Sequence, residues 1–582
     1  MVFFSLICIF AAVLSYSDMK RLLLGDEAIA QGALDAGLSG VYAYPGTPST
    51  EITEYIQMSP LAKERGVHSR WSTNEKTAME AALGMSYMGK RALVCMKHVG
   101  LNVCADPFVN SAMTGTNGGL VVLVADDPSM HSSQDEQDSR FYGKFAMVPT
   151  LEPSTQQEAY DMMSYAYDLS EQLQLPILMR VTTRMAHSRA VVKLADTPRE
   201  PNDLNYNAKA SNWVLLPAFA RKRNDVVTSQ QPLLEQMAVD SPFNRYVEGQ
   251  RTTDNGQQMT DNGLGIIASG IAYNYLMESF PNGCPFPVLK VSQYPLPKKL
   301  VRRMTDDCEE VLICEEGQPF IEDMVRGVMP GNAVIRGRLT GQLPRTGELN
   351  PDVVKKALRL LTKDSGQTPL QLPRGGVATD CGGFAPCEDV VPRPPALCQG
   401  CGHRDVYTAL NKVLLNYPNA RVFGDIGCYT LGFLPPYKAI HSCVDMGASI
   451  TMAKGASDAG QWPSLAIIGD STFTHSGMTG LLDAVNENSD ITVIISDNLT
   501  TAMTGGQDSA GTNKFEAICR GLGVSEEHLH VVVPLPKNME EITRIIEEEI
   551  NYHGVSVIIP RRECMQTLQR HLKQKKAEKS DK

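Results

Sequence analysis

The chain has 582 residues, of which 43% are hydrophobic and 20% charged, and a net charge of −11. That length exceeds what one hydrophobic core supports, so roughly three or four domains are expected. The composition is that of a soluble globular protein, and an acidic balance without a basic patch argues against nucleic acid or an anionic membrane as partner. The 14 cysteines are scattered, several within apolar runs such as Val94-Cys95-Met96, which is the usage of a reducing cytoplasm.

An apolar run at 3–14 has signal-peptide length, but its positive charges, Lys20 and Arg21, follow instead of preceding it. It is short for a membrane span. Patterned sequence begins after Met19, so residues 1–18 read as a dispensable leader of a cytoplasmic protein. Residues 19–195 alternate short apolar strands (40–44, 92–96, 120–125, 176–181) with helices (26–36, 75–88), the pattern of a parallel α/β domain. Residues 196–258 are polar and broken by proline, and read as a linker or arm. A smaller α/β unit follows at 259–365, with strands at 263–269, 287–292 and 310–315. Residues 366–395 are a Pro/Gly-rich connector. A third α/β unit occupies 396–565, with strands at 420–423, 465–469, 491–496 and 555–560. Residues 566–582 form a solvated helix end and tail.

The strongest chemistry lies in the third unit. A buried strand ends in Gly469-Asp470-Ser471, a helix follows, and a second strand ends in Asp497-Asn498-Leu499-Thr500. Such a β-α-β unit makes the two strands parallel, so Asp470 and Asn498 emerge at the carboxyl edge, where ligands bind in open α/β sheets. With the Thr500 carbonyl they offer hard oxygens suited to Mg²⁺ and a phosphorylated ligand. Upstream, Leu397-Cys398-Gln399-Gly400-Cys401-Gly402-His403-Arg404 opens a helix, and Gly427-Cys428 follows a later strand. Two readings compete here. In one, Gly400, Cys401, Gly402, His403 and Gly427 form an anion-holding loop at a helix N-terminus, with the cysteines as small packed residues. In the other, Cys398, Cys401 and Cys428 ligate a [4Fe–4S] cluster, which needs a fourth thiolate. Cys519 is the candidate, being the later cysteine before the terminal strand. In the first unit, Glu75 opens a helix, where it could merely complement the dipole. Thr47 lies in the strand-to-helix turn Tyr44-Pro45-Gly46-Thr47-Pro48-Ser49-Thr50-Glu51, whose hydroxyls could equally cap the helix. Lys97 and His98 follow a strand end, where a cation could meet a carboxylate. Residues 126–134 should rim the same cleft.

These motifs together resemble the 2-oxoacid:ferredoxin oxidoreductases. The loop Cys398-x-Gly400-Cys401-x-His403-Arg404 and Gly424-Asp425-Ile426-Gly427-Cys428 carry the superfamily pattern. Gly469 to Met478 and Asp497 to Gly505 resemble the large subunit of the indolepyruvate branch. The resemblance implies a pyrimidine-binding domain at 19–195, a transketolase-C-terminal-like domain at 259–365 and a diphosphate-binding domain at 396–565. It implies thiamine diphosphate and Mg²⁺ as cofactors, held by Gly469, Asp470, Ser471, Asn498 and Thr500. Glu75 would then activate the aminopyrimidine, and Thr47 would lie near the substrate carboxylate, with His403 at the diphosphate or the reacting centre. The implied reaction is oxidative decarboxylation of an arylpyruvate to an aryl-acetyl-CoA, with coenzyme A as co-substrate, ferredoxin or a similar one-electron acceptor, and a small beta subunit as partner. Two departures stand out: Ser471 replaces a motif glycine, and beyond Cys519 only Cys564 remains, too few for the two-cluster ferredoxin-like domain that usually ends such subunits. A non-oxidative decarboxylase or carboligase, and a non-catalytic assembly subunit, are the alternatives.

Overall fold

A computed structural model describes residues 20–249, 251–252, 258–259, 263–280, 283–327, 341, 343–344, 395–504, 506–507 and 509–580. The expected leader, the last part of the second unit and nearly all of the connector lie outside the described residues. Among the described residues no helix is long and apolar enough to cross a membrane.

The first unit contributes β1 (Lys20–Leu24), β2 (Gly40–Ala43), β3 (His68–Trp71), β4 (Ala92–Lys97), β5 (Leu120–Asp126), β6 (Thr150–Leu151), β7 (Ile177–Thr182) and β8 (Arg189–Lys193). The second contributes β9 (Arg245–Val247), β10 (Arg251–Thr252), β11 (Gln258–Met259), β12 (Leu264–Ser269), β13 (Val288–Val291), β14 (Gln293–Tyr294) and β15 (Glu310–Cys314). The third holds β16 (Arg421–Gly424), β17 (Ser464–Gly469), β18 (Ile491–Ser496), β19 (Leu529–Val532) and β20 (Val555–Pro560). The main sheets run β14-β6-β7-β5-β4-β2-β3, β15-β12-β13-β9 and β16-β17-β18-β20-β19. The third sheet is wholly parallel. The first is parallel except for β14, which comes from the second unit and pairs antiparallel with β6. This is the expected multi-domain α/β architecture.

Strands buried on both faces, such as β4, β5, β17 and β18, are apolar runs in the sequence, because helices cover each side. The edge strand β3, His68-Ser69-Arg70-Trp71, buries no residue fully and leaves no such run. Residues 196–249, expected as an arm, carry a 23-residue helix, Pro217–Val239, and β9. Only Val227, Leu234 and Ala238 of that helix are buried, so its apolar stripe is too sparse to stand out.

The first and third units meet through two helices, Glu75–Tyr87 and Ala448–Asp458. They cross at Gly84 and Gly455, where a Cβ would collide with the backbone of Met452 and Ala81 respectively. Lys76 crosses the same seam, donating to Asp445 (2.6 Å) and to the Met446 carbonyl (3.0 Å). The second unit is locked to the first by two buried arginines. Arg140 reaches Glu315 (2.9 Å) and the Gln318 carbonyl (3.0 Å), and Arg180 the Glu316 carbonyl (2.8 Å), while Asp126, Asp138 and Glu152 hold the two guanidiniums from within the first unit.

Candidate active site

The carboxyl edge of the third sheet gathers residues that lie far apart in the chain. Asp470 follows β17 and Asn498 follows β18, and both accept from one backbone amide. Thr500 N–H lies 3.1 Å from Asp470 Oδ2 and 3.2 Å from Asn498 Oδ1. Asp470 also accepts from the Ser471 amide (2.6 Å) and hydroxyl (3.2 Å), so the departure from glycine at 471 adds a donor instead of blocking the turn. Two aspartates meet here with different fates. Asp497 is neutralised by Arg561 (2.6 Å), which also clasps Glu516. Asp470, only 3% exposed, has no ion-pair partner among the described residues. Its burial, with Asp497 adding repulsion, pushes its carboxyl up to about 6. A buried carboxylate with neighbouring oxygens and no counter-charge fits a bound cation.

Gly427 and Gly469 share the ring of Tyr429, into which a Cβ at either position would run. Tyr429 in turn donates to Asp425, a buried residue at the end of β16 that also accepts from the Ser449 amide and hydroxyl. Asp425 thereby pins the Ala448–Asp458 helix to the strand end, a role the sequence motif did not disclose.

The loop before the helix Gly402–Leu414 lies at this same edge, with Gly400 at φ +72°. His403 is buried, and burial lowers its pKa to about 4, so the imidazole is neutral. Its Nδ1 lies 3.1 Å from Cys401 Sγ, while Nε2 has no hydrogen-bond partner among the described residues. Cys398, Cys401, Cys428 and Cys564 line one cavity of about 140 Å³ together with His403 and Asn498. Burial raises the Cys428 thiol to about 11, and Cys401, Cys564 and Cys398 add to the shift. Cys519 is not among these four. Expected as the fourth thiolate, it is fully buried in the helix Phe515–Gly521 and packs into the apolar core. Cys564 lies in the cavity instead: it is four residues beyond β20, and its amide donates to the Asn498 carbonyl (3.0 Å). The strand-edge rule already applied to Asp470 and Asn498 would have found it.

The first unit presents its own carboxyl edge. Glu75 begins its helix behind the N-cap Asn74, half-buried, and lies so close to Gly100 that a Cβ there would clash with its side chain. On one flank of Glu75, Thr73 N–H donates to Asp483 Oδ1 (3.0 Å) and its hydroxyl to the Thr479 carbonyl (3.1 Å). Both acceptors lie on the helix that follows Asp470, so the segment bearing Glu75 is fastened to the third unit. Lys97 is buried, and its ammonium donates to the Ser132 carbonyl (2.8 Å) and hydroxyl (3.2 Å) without a carboxylate partner among the described residues. His98 Nε2 lies 3.2 Å from Ser133 Oγ, Nδ1 is buried and unpartnered, and burial lowers the pKa of the ring. Thr47 is exposed, with its carbonyl 3.4 Å from the Ser132 hydroxyl. Residues 47, 97–98 and 132–133 thus share one rim, as expected, and Asp127 anchors it by accepting from Ser133 (2.6 Å) and Thr183 (2.6 Å).

Comparison with known proteins matches two family models. Residues 31–248 fit the one described as pyruvate flavodoxin/ferredoxin oxidoreductase, thiamine diphosphate-binding. Residues 425–559 fit the thiamine pyrophosphate enzyme C-terminal TPP-binding domain. The indolepyruvate oxidoreductase subunit IorA of Archaeoglobus fulgidus is 38% identical over 94% of this chain and 86% of its own length. The subunits of that name from Methanothermobacter thermautotrophicus and Pyrococcus horikoshii are each 37% identical, over 94% of this chain and 87% and 86% of their own lengths. The match runs through both cofactor domains and both edges described above, and the chain belongs to the IorA family of thiamine-diphosphate-dependent 2-oxoacid:ferredoxin oxidoreductases.

Proposed function

We propose that the chain is the large subunit of an arylpyruvate oxidoreductase, converting an indolepyruvate-type 2-oxoacid to the aryl-acetyl-CoA with release of CO₂ and of two electrons to ferredoxin or a similar acceptor. A small second subunit completes the enzyme, as the relatives' designation as a subunit suggests. The observation that carries the reading is the convergence on one sheet edge of Asp470, a buried carboxylate with no counter-charge among the described residues, with Asn498 and four cysteines.

Thiamine diphosphate, when bound, supplies the electron sink that decarboxylation of a 2-oxoacid requires. Asp470, Asn498 and the Thr500 carbonyl hold Mg²⁺, and the loop from Gly400 to His403, with Gly427 and Gly469, cradles the diphosphate. Glu75 holds a proton at the pyrimidine N1′, the general acid–base role its place at the seam suits. Lys97 is the cation for the substrate carboxylate, since its buried ammonium meets only a carbonyl and a hydroxyl. Thr47 and His98 complete that rim. Cys398, Cys401, Cys428 and Cys564 ligate a [4Fe–4S] cluster. In support, the four thiols line one cavity at the strand edge, and cluster ligation calls for four cysteines.

The test is anaerobic reconstitution with the small subunit. Indolepyruvate should reduce a viologen dye only when coenzyme A is present, and indoleacetyl-CoA should accumulate. Release of free aldehyde without dye reduction would assign the chain to non-oxidative decarboxylation instead.

A further inference from the structure

We propose that Asp26, Glu51 and His187 form a binding site for a divalent transition-metal cation such as Zn²⁺, separate from the cofactor and thiol sites. One donor atom of each residue lies within 4.8 Å of the other two, and His187 Nε2 stands 3.5 Å from Glu51 Oε1. Asp26 is fully buried, and neither of its carboxylate oxygens has a hydrogen-bond partner; Glu51 Oε2 is buried and unpartnered as well. Burial is the first cause that raises the Asp26 carboxyl well above the usual range, and the charges of Glu51 and Glu27 add to it. Buried carboxylates are ordinarily paired or bound to a metal. Here no lysine or arginine pairs with either one among the described residues. The nitrogen donor completes a set of one imidazole and two carboxylates, which suits zinc or a neighbouring first-row ion with a coordination position left for water.

The donors are fixed by backbone that has no other evident reason to converge. The antiparallel ladder of β1 and β8 ends at the pair Leu24–Arg189, so Asp26 lies two residues past one strand and His187 two residues before the other. The helix Gly25–Asp35 begins against the short helix Thr183–His187, so closely that a Cβ at Gly25 would strike the Met185 carbonyl. Glu51 lies in the first turn of Thr50–Met58. The site is open on one side: the side chains of Glu51 and His187 are about a third exposed (36% and 35%), which gives an ion a path in from solvent. A metal here would tie the turn that carries Thr47, four residues before Glu51, to the start of the domain.

The test uses the full chain, dialysed against chelator and then titrated with Zn²⁺ and Co²⁺. Wild type should take up one equivalent that His187→Ala and Asp26→Asn do not, while Cys401→Ser still does. Bound Co²⁺ should show d–d bands without sulfur-to-metal charge transfer, which separates this site from the thiol cavity. Zn²⁺ should raise the melting temperature of wild type but not of His187→Ala, whose side chain is exposed enough to remove without unfolding the chain. Equal uptake by wild type and His187→Ala would overturn the proposal. So would a metal-indifferent wild type in which Asp26→Asn alone raises the melting temperature, since that identifies a proton-sharing carboxyl pair.

Discussion

The carboxyl edges of the first and third sheets face one cofactor family's chemistry with opposite electrostatics. At the first edge the charges are already satisfied: Asp127 collects hydroxyl donors, Asp126 and Glu152 pair with Arg180, and the Lys97 ammonium sits on Ser132. At the third, Asp470 is buried with no cationic side chain beside it among the described residues, and four thiols share a cavity in which burial raises the thiols of Cys428 and Cys401. The difference teaches that around residues 97–98 and 126–133 the fold itself supplies the partners, whereas at Asp470 and the cysteine cavity it leaves them to a ligand on the proposed reading. On that reading the first edge serves recognition of the organic substrate, and the third holds Mg²⁺ and the cluster.

Removing a residue from the third edge should therefore have the largest consequence. Asp470→Ala is expected to abolish retention of thiamine diphosphate, read by calorimetry with Mg²⁺ present; unchanged binding would move the metal site elsewhere. At the first edge the effects should be graded. Glu75→Gln keeps the shape and the helix N-terminus but cannot hold the proton in the same way, so turnover should fall by roughly 10²–10⁴-fold with cofactor still bound. Wild-type turnover in that variant would return the role to another carboxylate, Glu51 first. Lys97→Ala removes one charge-assisted hydrogen bond worth about 1.5–3 kcal/mol. It should raise the KM for the 2-oxoacid roughly ten- to a hundredfold while leaving kcat less affected; a KM that does not move would take Lys97 off the substrate.

The smallest effect belongs to the seam between the two edges. Burial, with Asp458 adding and Lys454 opposing, raises the Glu487 carboxyl from 4.5 to about 7. The folded state then holds a proton that the unfolded chain has released, so stability falls as pH rises through that window. Glu487→Gln removes this loss. Its melting temperature should gain on wild type between about pH 5 and about pH 8, and a constant gap would show that Glu487 is charged throughout.

Most of this organisation was legible in the sequence where burial is two-sided. Strands such as β5 and β18 are continuous apolar runs, and the strand-edge rule placed Asp470 and Asn498 without coordinates. What escaped was one-sided or non-local. The edge strand β3 pays no tribute to hydrophobic pattern, and the helix Pro217–Val239 buries three residues of 23. Asp425 and Arg561 act through partners 24 and 64 residues away. Cys519 looked the better fourth thiolate because it precedes the terminal strand. Cys564 lines the cavity because the strand order β18-β20 sets its loop beside Asn498.

That exchange of cysteines gives the most direct test of an edge completed by what it binds. Iron and acid-labile sulfide should be measured on anaerobically purified wild type, Cys564→Ser and Cys519→Ser. About four irons per chain are expected in wild type and in Cys519→Ser, with loss of the brown chromophore in Cys564→Ser. A wild type that stays iron-free after reconstitution, or iron lost from Cys519→Ser and kept by Cys564→Ser, would contradict the account.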